Sequence, residues 1–305
     1  MRPLPNRWKP HLAMALQTLL IGPSYTFGKY ATAEIDPIPL MTMRIWLAAL
    51  TFGLIFLGMG GWGERKPTRQ DWFLMLRLAF VGTTLNSFFY IVLLNWTTPG
   101  NTALIYGATP LSVLLMAVFV RRSERLTRKK LLAVLMAVVG VVIVVLAVAE
   151  GQVASHPYLG NLVGLMCLAF WTYYLTYSKK IMERFPAIKV TAMFMVMSAL
   201  FFLPLGAYFL PDVAFAAISP RAWFGLGYMA AVNSLLSFLL VSFALRYAQS
   251  SQVAIYMNLQ PAWAAVFSFM LGVDALSPPF IAGGLLTLAG VYILNTIQKK
   301  ERAAG

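Results

Sequence analysis

The chain has 305 residues, of which 60% are hydrophobic and only 11% are charged, and its mean hydropathy is +0.74. This composition excludes an ordinary soluble domain and indicates an integral membrane protein. The net charge of +14 would point to nucleic acid in a soluble protein. Here the basic residues lie at the ends of apolar runs, so they are expected to set topology and contact lipids, and nucleic acid is not an expected partner.

The apolar runs are long and continuous, which predicts membrane-spanning helices rather than the short alternating strands of a barrel. A helix needs about 20 apolar residues to cross the hydrocarbon core. The expected fold is therefore an all-α integral membrane protein with ten transmembrane helices. In chain order the predicted spans are 12–31, 39–59, 72–94, 102–120, 131–149, 159–179, 190–209, 222–245, 252–271 and 279–297. The first run is longer than a signal core and lacks a small-residue cleavage site, so we expect it to be retained.

Basic residues alternate between successive connections. Lys and Arg are concentrated in the N-terminal tail, in 61–69, 121–130 and 178–189, at Arg246 and in 299–302. The connections 33–39, 95–101, 149–158 and 272–278 carry none, and the one before the eighth span holds only Arg221. Because basic loops stay on the cytoplasmic side, both termini are expected to be cytoplasmic.

The sequence repeats itself once. At an offset of 150 residues Gly140 matches Gly290, and at an offset of 151 Leu94 matches Leu245, a difference that one inserted residue explains. Each half has five predicted spans, an odd number, so the second half must cross in the opposite sense. Such inverted repeats are typical of secondary transporters, which expose a midplane site alternately to the two sides. The two five-helix repeats of this single membrane domain are residues 1–150 and 151–305.

Each half closes with a similar motif. The first motif begins at Pro110 and continues with Glu-Arg-Leu-Thr and then a Gly. The second begins at Pro261 and continues with Gly-Val-Asp-Ala-Leu-Ser and then a Gly. This pair resembles the EamA family of the drug/metabolite transporter superfamily over nearly the whole chain. The resemblance implies a ten-helix inverted-repeat carrier in the bacterial inner membrane, usually an exporter of amino acids or other small metabolites.

The motif residues also have a structural interpretation. Glu124 lies among several arginines and can offset their charge, and Thr127 and Ser277 are placed to cap the helices that follow them. Asp274 corresponds to Glu124 in the second half. Four glycines are expected to allow close helix contact, as small residues do in bilayers: Gly140, Gly283, Gly284 and Gly290.

Candidate substrate-binding residues are polar or aromatic side chains within the predicted spans, on faces that the repeat can direct inward. Asn86 and Asn233 lead this set, because Asn86 maps to Ser237, four residues beyond Asn233 on the same helical face. The full set is Lys29, Tyr25, Asn86, Tyr90, Tyr106, Trp171, Tyr174, Asn233, Ser237, Tyr256 and Gln260. The alternative for each polar residue is a hydrogen bond to a neighbouring helix.

A second set is expected at the mouths of the pathway or at gating points: Pro23, Arg44, Pro110, Lys179 and Pro261. The prolines remove backbone donors. Lys29 and its match Lys179 are expected at opposite mouths, and snorkelling to the interface is the alternative. If these lysines and Arg44 face the pathway, they favour a carboxylate or another anionic group. A purely cationic substrate fits poorly, since no Asp or Glu is expected at membrane depth.

Other classes of function have little support. No Walker sequence is found, and the single Cys167 can form neither an internal disulfide nor a metal site, so no cofactor is expected. His11 and His156 are the only histidines, and no GxSxG or HExxH motif accompanies them, so the chain is not expected to be an enzyme.

The predicted function is therefore secondary transport of small metabolites by alternating access, with amino acids or related carboxylates as substrates and export as the direction. Transport of phosphorylated or lipid-linked metabolites is one alternative, and a membrane-embedded transferase or protease is an alternative of another class. The expected partners are a small-molecule substrate and membrane lipids. A monomer and a homodimer are both compatible with the sequence.

Overall fold

The structure is a computed structural model that describes residues 8–63, 66–121, 127–146, 155–248, 250–272 and 278–304. Within these ranges the chain is helical apart from turns, and no strand is formed. The helices, named here in chain order, are α1 (Lys9–Thr32), α2 (Pro37–Gly58), α3 (Arg69–Trp96), α4 (Pro99–Val120), α5 (Arg128–Leu146), α6 (Pro157–Arg184), α7 (Ala187–Phe209), α8 (Pro220–Tyr247), α9 (250–270) and α10 (Pro278–Ala304).

Six of these helices are long and apolar enough to cross a membrane, namely α2, α3, α4, α6, α7 and α8. The all-helical membrane class is therefore confirmed. The count of ten transmembrane helices stays a prediction, because the described parts of the other four helices do not combine that length with that apolarity.

Local signals in the sequence explain where the helices begin. Thr68 and Asp71 form a capping box at the start of α3, and the hydroxyl of Ser219 accepts from the Ala222 backbone N–H at the start of α8. The predicted cap at Thr127 is confirmed, since its hydroxyl accepts from the Lys130 backbone N–H at 3.4 Å. Glu124, Asp274 and Ser277 lie outside the described residues.

Helices from the two halves pack against each other in matched pairs. Helix α2 packs on α7, and α5 packs on α10. Helix α1 packs against α8 and α9 of the second half, while α6 packs against α3 and α4 of the first. Helices α1 and α6 therefore play corresponding roles in the packing.

The crossing of α5 and α10 depends on two glycines. A Cβ on Gly140 would lie 2.5 Å from the backbone N of Thr287, and a Cβ on Gly290 would lie 2.6 Å from the backbone N of Ala137. The predicted close contact at these two glycines is confirmed. Gly284 differs, because a Cβ there would meet only the Leu104 side chain, at an ordinary 3.4 Å.

Four helices are irregular at matched positions. Helix α3 contains widened π-helical turns over Leu78–Leu85, and α8 contains them over Met229–Ser237. Helix α4 is interrupted at Ala108 and α9 at a 3₁₀ turn, Met257–Leu259.

The prolines predicted to disturb helices fall in two different settings. Pro110 and Pro261 each follow one of these interruptions, at the start of the second part of their helix. Pro23 is buried within α1, which is helical on both sides of it. The gating role of the three prolines stays a prediction.

The bundle has two distinct ends. At one end, here called the basic end, Arg184 pairs with Asp71 and the Arg246 guanidinium donates to the Phe185 carbonyl at 2.8 Å. At the opposite end, Glu34 before α2 accepts from the backbone N–H of Ser219 before α8. The basic end is the one predicted to be cytoplasmic.

Candidate functional site

A central cavity lies where α1, α2, α3, α4, α6, α8 and α9 meet. Nine residues predicted from the sequence line it: Tyr25, Arg44, Asn86, Tyr90, Tyr106, Trp171, Asn233, Ser237 and Gln260. Four further residues complete the lining: Gln17, Ile21, Ser87 and Phe238. The structure thus brings most of the predicted site into one place, with both halves contributing.

The cavity is narrow. The space open to the centre of a water molecule is about 40 Å³. Each water needs about 10–15 Å³ by this measure, so the cavity has room for about three waters. A metabolite of amino-acid size would require the surrounding helices to move apart.

Hydrogen bonds between the halves hold the cavity walls together. The Gln17 side-chain amide on α1 donates to the Ser237 hydroxyl on α8 at 2.7 Å. The Asn86 amide on α3 donates to the Cys167 carbonyl on α6 at 2.9 Å. Because Cys167 matches Gln17 and Asn86 matches Ser237, these are corresponding bonds in the two halves. The Tyr25 hydroxyl adds a third tie, to Gln260 Oε1 at 2.7 Å.

Arg44 is the main electrostatic feature of the cavity. Its side chain is only 1% exposed, and its Nε and Nη1 atoms have no hydrogen-bond partner among the described residues. The described residues that line the cavity include no carboxylate. Arg44 thus lines the central cavity, and its predicted role at a mouth or gating point stays a prediction. Helix α2 begins at Pro37, and seven residues of helix carry Arg44 about 10 Å inward.

Aromatic side chains form much of the remaining wall. Tyr90 lies between Tyr25 and Tyr106, with ring centroids 6.1 and 5.9 Å away, and the Arg44 guanidinium lies 5.6 Å from the Tyr90 centroid. The buried Trp171 Nε1–H has no partner among the described residues. The Tyr90 hydroxyl lies near Ser24 and Asn233 without a well-aligned hydrogen bond to either. The wall thus offers hydrogen-bond donors together with aromatic rings.

The two predicted lysines do not line the cavity. The Lys29 ammonium donates to backbone carbonyls at the end of α3, those of Leu94, Asn95 and Thr97, at 2.9–3.0 Å. The Lys179 ammonium donates to the Leu245 and Ala248 carbonyls at the end of α8, and it also pairs with Glu183. Terminal helix carbonyls lack intrahelical partners and attract cations. Both lysines therefore close helix ends, and the predicted roles of Lys29 in substrate binding and of Lys179 at a mouth or gating point stay predictions.

Two predicted aromatic residues also lie outside the cavity. Tyr174 is buried behind Trp171, with the rings stacked 5.2 Å apart, and its hydroxyl lies 3.1 Å from that of Ser242. The Tyr256 hydroxyl lies 3.0 Å from His11 Nδ1, near the start of α1. Tyr174 supports the cavity wall from behind, whereas Tyr256 joins α9 to α1.

The repeat could have identified one of the missed residues, because Ile21 matches the predicted Trp171 at the offset of 150. Phe238 and Ser87 match each other, and neither was predicted. Gln17 carried a further signal, because it lies four and eight residues before Ile21 and Tyr25 on one helical face. Ile21 and Phe238 gave no polar signal of their own.

Comparison with known proteins gives a consistent result. Relatives include an uncharacterized transporter of Archaeoglobus fulgidus, 28% identical over 95% of this chain and 98% of its own length. The uncharacterized transporter YyaM of Bacillus subtilis is 22% identical over 94% and 95% of the two chains. A protein of Streptantibioticus cattleyicolor named "Probable terminal-alkyne amino-acid exporter" is 26% identical over 85% and 86%.

The fold and the family profile agree with these relatives. A solved crystal structure superposes with a TM-score of 0.69 at 18% identity, covering 94% of this chain and 96% of the other, which shows a shared fold. The profile of the EamA-like transporter family matches residues 8–146 and again residues 158–296. The two matches cover almost the whole chain, one in each predicted repeat, and the chain therefore belongs to the EamA-like transporter family.

Proposed function

We propose that this transporter is a secondary carrier for amino acids or related carboxylate-bearing metabolites, and that it works as an exporter. The observation that carries the proposal is the buried Arg44 guanidinium, which lines the central cavity with two nitrogen atoms that have no partner among the described residues. A buried charge without a partner is costly, so a site of this kind is suited to a ligand of opposite charge.

A carboxylate is the group that best fits Arg44. The planar guanidinium presents donors in a fork that matches the two oxygens of a carboxylate. The Trp171 Nε1–H and the Tyr90 hydroxyl supply neutral donors in the same cavity. A carboxylate bound here would fill donor positions that the described residues leave open.

The same cavity has features suited to an ammonium group. Tyr25, Tyr90 and Tyr106 line it, and the faces of aromatic rings attract cations. The Gln17 Oε1 atom is buried, has no partner in the described part of the chain and can accept from an N–H. A zwitterionic amino acid would therefore find complementary groups at both of its charged ends.

The phosphorylated or lipid-linked alternative is less well matched. Arg44 is the one cationic side chain among the cavity residues, because Lys29 and Lys179 are bound to helix ends. A single guanidinium balances one negative charge, whereas a phosphate monoester carries up to two at neutral pH. The charge of the cavity therefore favours a monocarboxylate.

Alternating access is supported by contacts that correspond at the two ends. Arg184 and Thr68 match Glu34 and Ser219 at the offsets of the repeat. Arg184 pairs with Asp71, the partner of Thr68 in its capping box, and Glu34 binds Ser219. We infer that the chain forms two inverted repeats, and that the contact at one end of the bundle opens while the corresponding contact at the other end stays closed. The name of the Streptantibioticus cattleyicolor relative supports the outward direction of transport.

Counterflow in proteoliposomes tests the proposal. Vesicles loaded with unlabelled amino acids, organic anions or amines are given a labelled neutral amino acid outside, and accumulation is followed. We expect internal amino acids to drive accumulation and Arg44→Gln to reduce it about tenfold or more, since hydrogen bonds to a charged group contribute about 1.5–3 kcal/mol. Arg221→Gln is the matched control, because Arg221 stacks on Tyr30 at the opposite end from the basic one. Equal activity of Arg44→Gln and Arg221→Gln would contradict the role given to Arg44.

The direction of transport needs its own measurement. Cells preloaded with the substrate identified by counterflow are compared with and without the protein, and net efflux is followed after dilution. An exporter is expected to speed the fall of the internal pool. Faster filling of empty cells, with no effect on efflux, would contradict export while leaving the carrier intact.

A further inference from the structure

We propose that a pocket at the basic end binds the headgroup of an anionic phospholipid. The pocket lies between the start of α3 and the ends of α4 and α6, away from the central cavity, and has a volume of about 440 Å³. Four cationic side chains converge on it from three helices: Arg77, Arg121, Lys180 and Arg184. The proposal is independent of the substrate that the carrier moves.

Among the described residues, most of the positive charge in this pocket has no acidic partner. Asp71 is the only acidic residue among the described residues that line it, and Asp71 is already occupied by Arg184 and by the Thr68 cap. Arg77 donates to the neutral Tyr173 hydroxyl at 3.1 Å. The described residues supply no carboxylate to Arg77, Arg121 or Lys180. Three positive charges thus face a cavity with room for a group that carries negative charge.

The pocket also holds an unused polar group. The Thr176 Oγ1 atom on α6 is buried and has no hydrogen-bond partner among the described residues. A hydroxyl in this position can donate to a phosphate oxygen, next to cations that bind phosphate through charge-assisted hydrogen bonds. The chemistry of the pocket is therefore that of a phosphate site.

The repeat argues against a role of the cluster in the transport cycle. At the offsets used above, Arg77 matches Tyr228, Lys180 matches Tyr30 and Arg184 matches Glu34. The opposite end therefore lacks cations at these three matching positions, although its helix contacts are preserved and Arg221 stacks on Tyr30 there. A feature found at one end only suits a ligand of one leaflet, and anionic lipids attract basic residues in the cytoplasmic leaflet. The basic end is the one predicted to face the cytoplasm.

The surroundings of the pocket favour a lipid over a soluble phosphate compound. Phe73, which borders the pocket, is 61% exposed, and Leu76 and Phe80 continue an exposed apolar strip along α3. In a membrane protein such a strip faces the acyl chains. A phospholipid whose phosphate enters the pocket could lay its chains along this strip, whereas a soluble phosphate would gain nothing from it.

Native mass spectrometry of the full-length protein tests the site. Delipidated protein is titrated with phosphatidylglycerol and with phosphatidylcholine of the same acyl chains. We expect phosphatidylglycerol to be retained in preference to phosphatidylcholine, and Arg121→Gln/Lys180→Gln to reduce its retention several-fold. Arg128→Gln/Lys129→Gln is the matched control, because these residues lie at the start of α5 near the same end but outside the pocket. Melting temperatures of all three proteins check that they are folded.

Three outcomes would overturn the proposal. Equal retention of the two lipids would remove the role of headgroup charge. Equal losses in the pocket variant and the control variant would assign binding to the overall charge of the basic end. Displacement of phosphatidylglycerol by an equal concentration of glycerol phosphate would show that the pocket recognises a soluble phosphate compound rather than a lipid.

Discussion

Lys29 and Lys179 occupy corresponding positions in the two halves and bind corresponding atoms. Each ammonium donates to two backbone carbonyls that the repeat also matches, those of Leu94 and Thr97 in one half and of Leu245 and Ala248 in the other. Lys29 adds a third carbonyl, that of Asn95. The two halves therefore match even in single hydrogen bonds. Each lysine joins the first helix of its half to the C-terminal end of the third helix of that half, α1 to α3 and α6 to α8.

Replacing either lysine should therefore lower stability more than substrate affinity. We expect Lys29→Met to reduce the free energy of unfolding by about 1–3 kcal/mol, because buried carbonyls lose a charged donor. Lys179→Met should cost less, since fewer carbonyls depend on it. Thermal unfolding in detergent and the KM of counterflow measure the two effects. A large increase in KM with an unchanged melting temperature would instead place these lysines on the substrate pathway.

The α5–α10 crossing should not tolerate a methyl group at Gly140. The added Cβ would meet the backbone of α10 at 2.5–2.6 Å, so the two helices must separate. We expect Gly140→Ala to be destabilising by about 1–3 kcal/mol, the range for overpacking. Gly227→Ala on α8 is the control, because nothing lies within 4 Å of a Cβ there. If Gly140→Ala and Gly227→Ala had the same melting temperature, the packing interpretation would be contradicted.

The two cavity asparagines should behave differently. Asn86 joins α3 to α6 through the Cys167 carbonyl and also donates to the Tyr106 hydroxyl at 3.2 Å. Asn86→Ala should therefore lower both transport and stability, the latter by about 1–2 kcal/mol, near the upper limit for helix-to-helix hydrogen bonds in membranes. Asn233 is only half-buried on the cavity wall, so Asn233→Ala should lower transport and leave the melting temperature close to that of the parent.

The measurement is counterflow and thermal unfolding of the same preparations. If Asn233→Ala unfolds as early as Asn86→Ala, Asn233 has a structural role. If both variants transport at the parental rate, the polar wall does not contact the substrate.

Glu34 gives a pH dependence at the end opposite the basic one. The Ser219 hydroxyl and backbone N–H donate to its carboxylate at 2.6 and 2.7 Å, and these hydrogen bonds lower the pKa of Glu34 below its ordinary value. The folded state thus favours the charged form. The contribution of this contact is complete above the pKa of the unfolded chain, about 4.3, and is lost as the pH falls through the lower folded pKa.

Glu34→Gln removes this titration. We expect the melting-temperature difference between the parent and Glu34→Gln to be constant above about pH 5 and to shrink below the ordinary glutamate pKa. The effect should be small, because the contact is exposed to solvent. A difference that does not change with pH would show that the charge of Glu34 contributes nothing to this contact.

The sequence predicted the helical class and much of the cavity because both leave strong signals. Polar residues such as Asn86 and Gln260 are conspicuous within apolar spans, and the repeat shows which faces correspond. Apolar cavity residues leave no such signal, because residues such as Ile21 and Phe238 are also found on helix faces that contact lipid or the protein core.

Charged residues near the span ends were harder to place. A lysine there can reach the interface, the pathway or a neighbouring helix end, and only the fold shows that the Lys29 ammonium meets the terminal carbonyls of α3. Arg44 illustrates the opposite difficulty. The desolvation cost of a guanidinium argues for the surface, so its burial is recognised only when the cavity around it is seen.

The widened turns of α3 and α8 determine which way the later parts of those helices face. Each residue of a regular α-helix advances the side-chain direction by about 100°, and a wider turn advances it by less. Asn86 and Tyr90 follow Leu78–Leu85, and Phe238 follows Met229–Ser237, so their directions differ from those that an unbroken α-helix would give. Each widened segment therefore shifts the side-chain directions of the residues that follow it. As a result, one face of the helix can contact neighbouring helices before the segment, and a different face can line the cavity after it. Deletion of a single residue within either segment would rotate the later part of that helix about its axis. Different side chains would then face the cavity, although the sequence of that part of the helix would be unchanged.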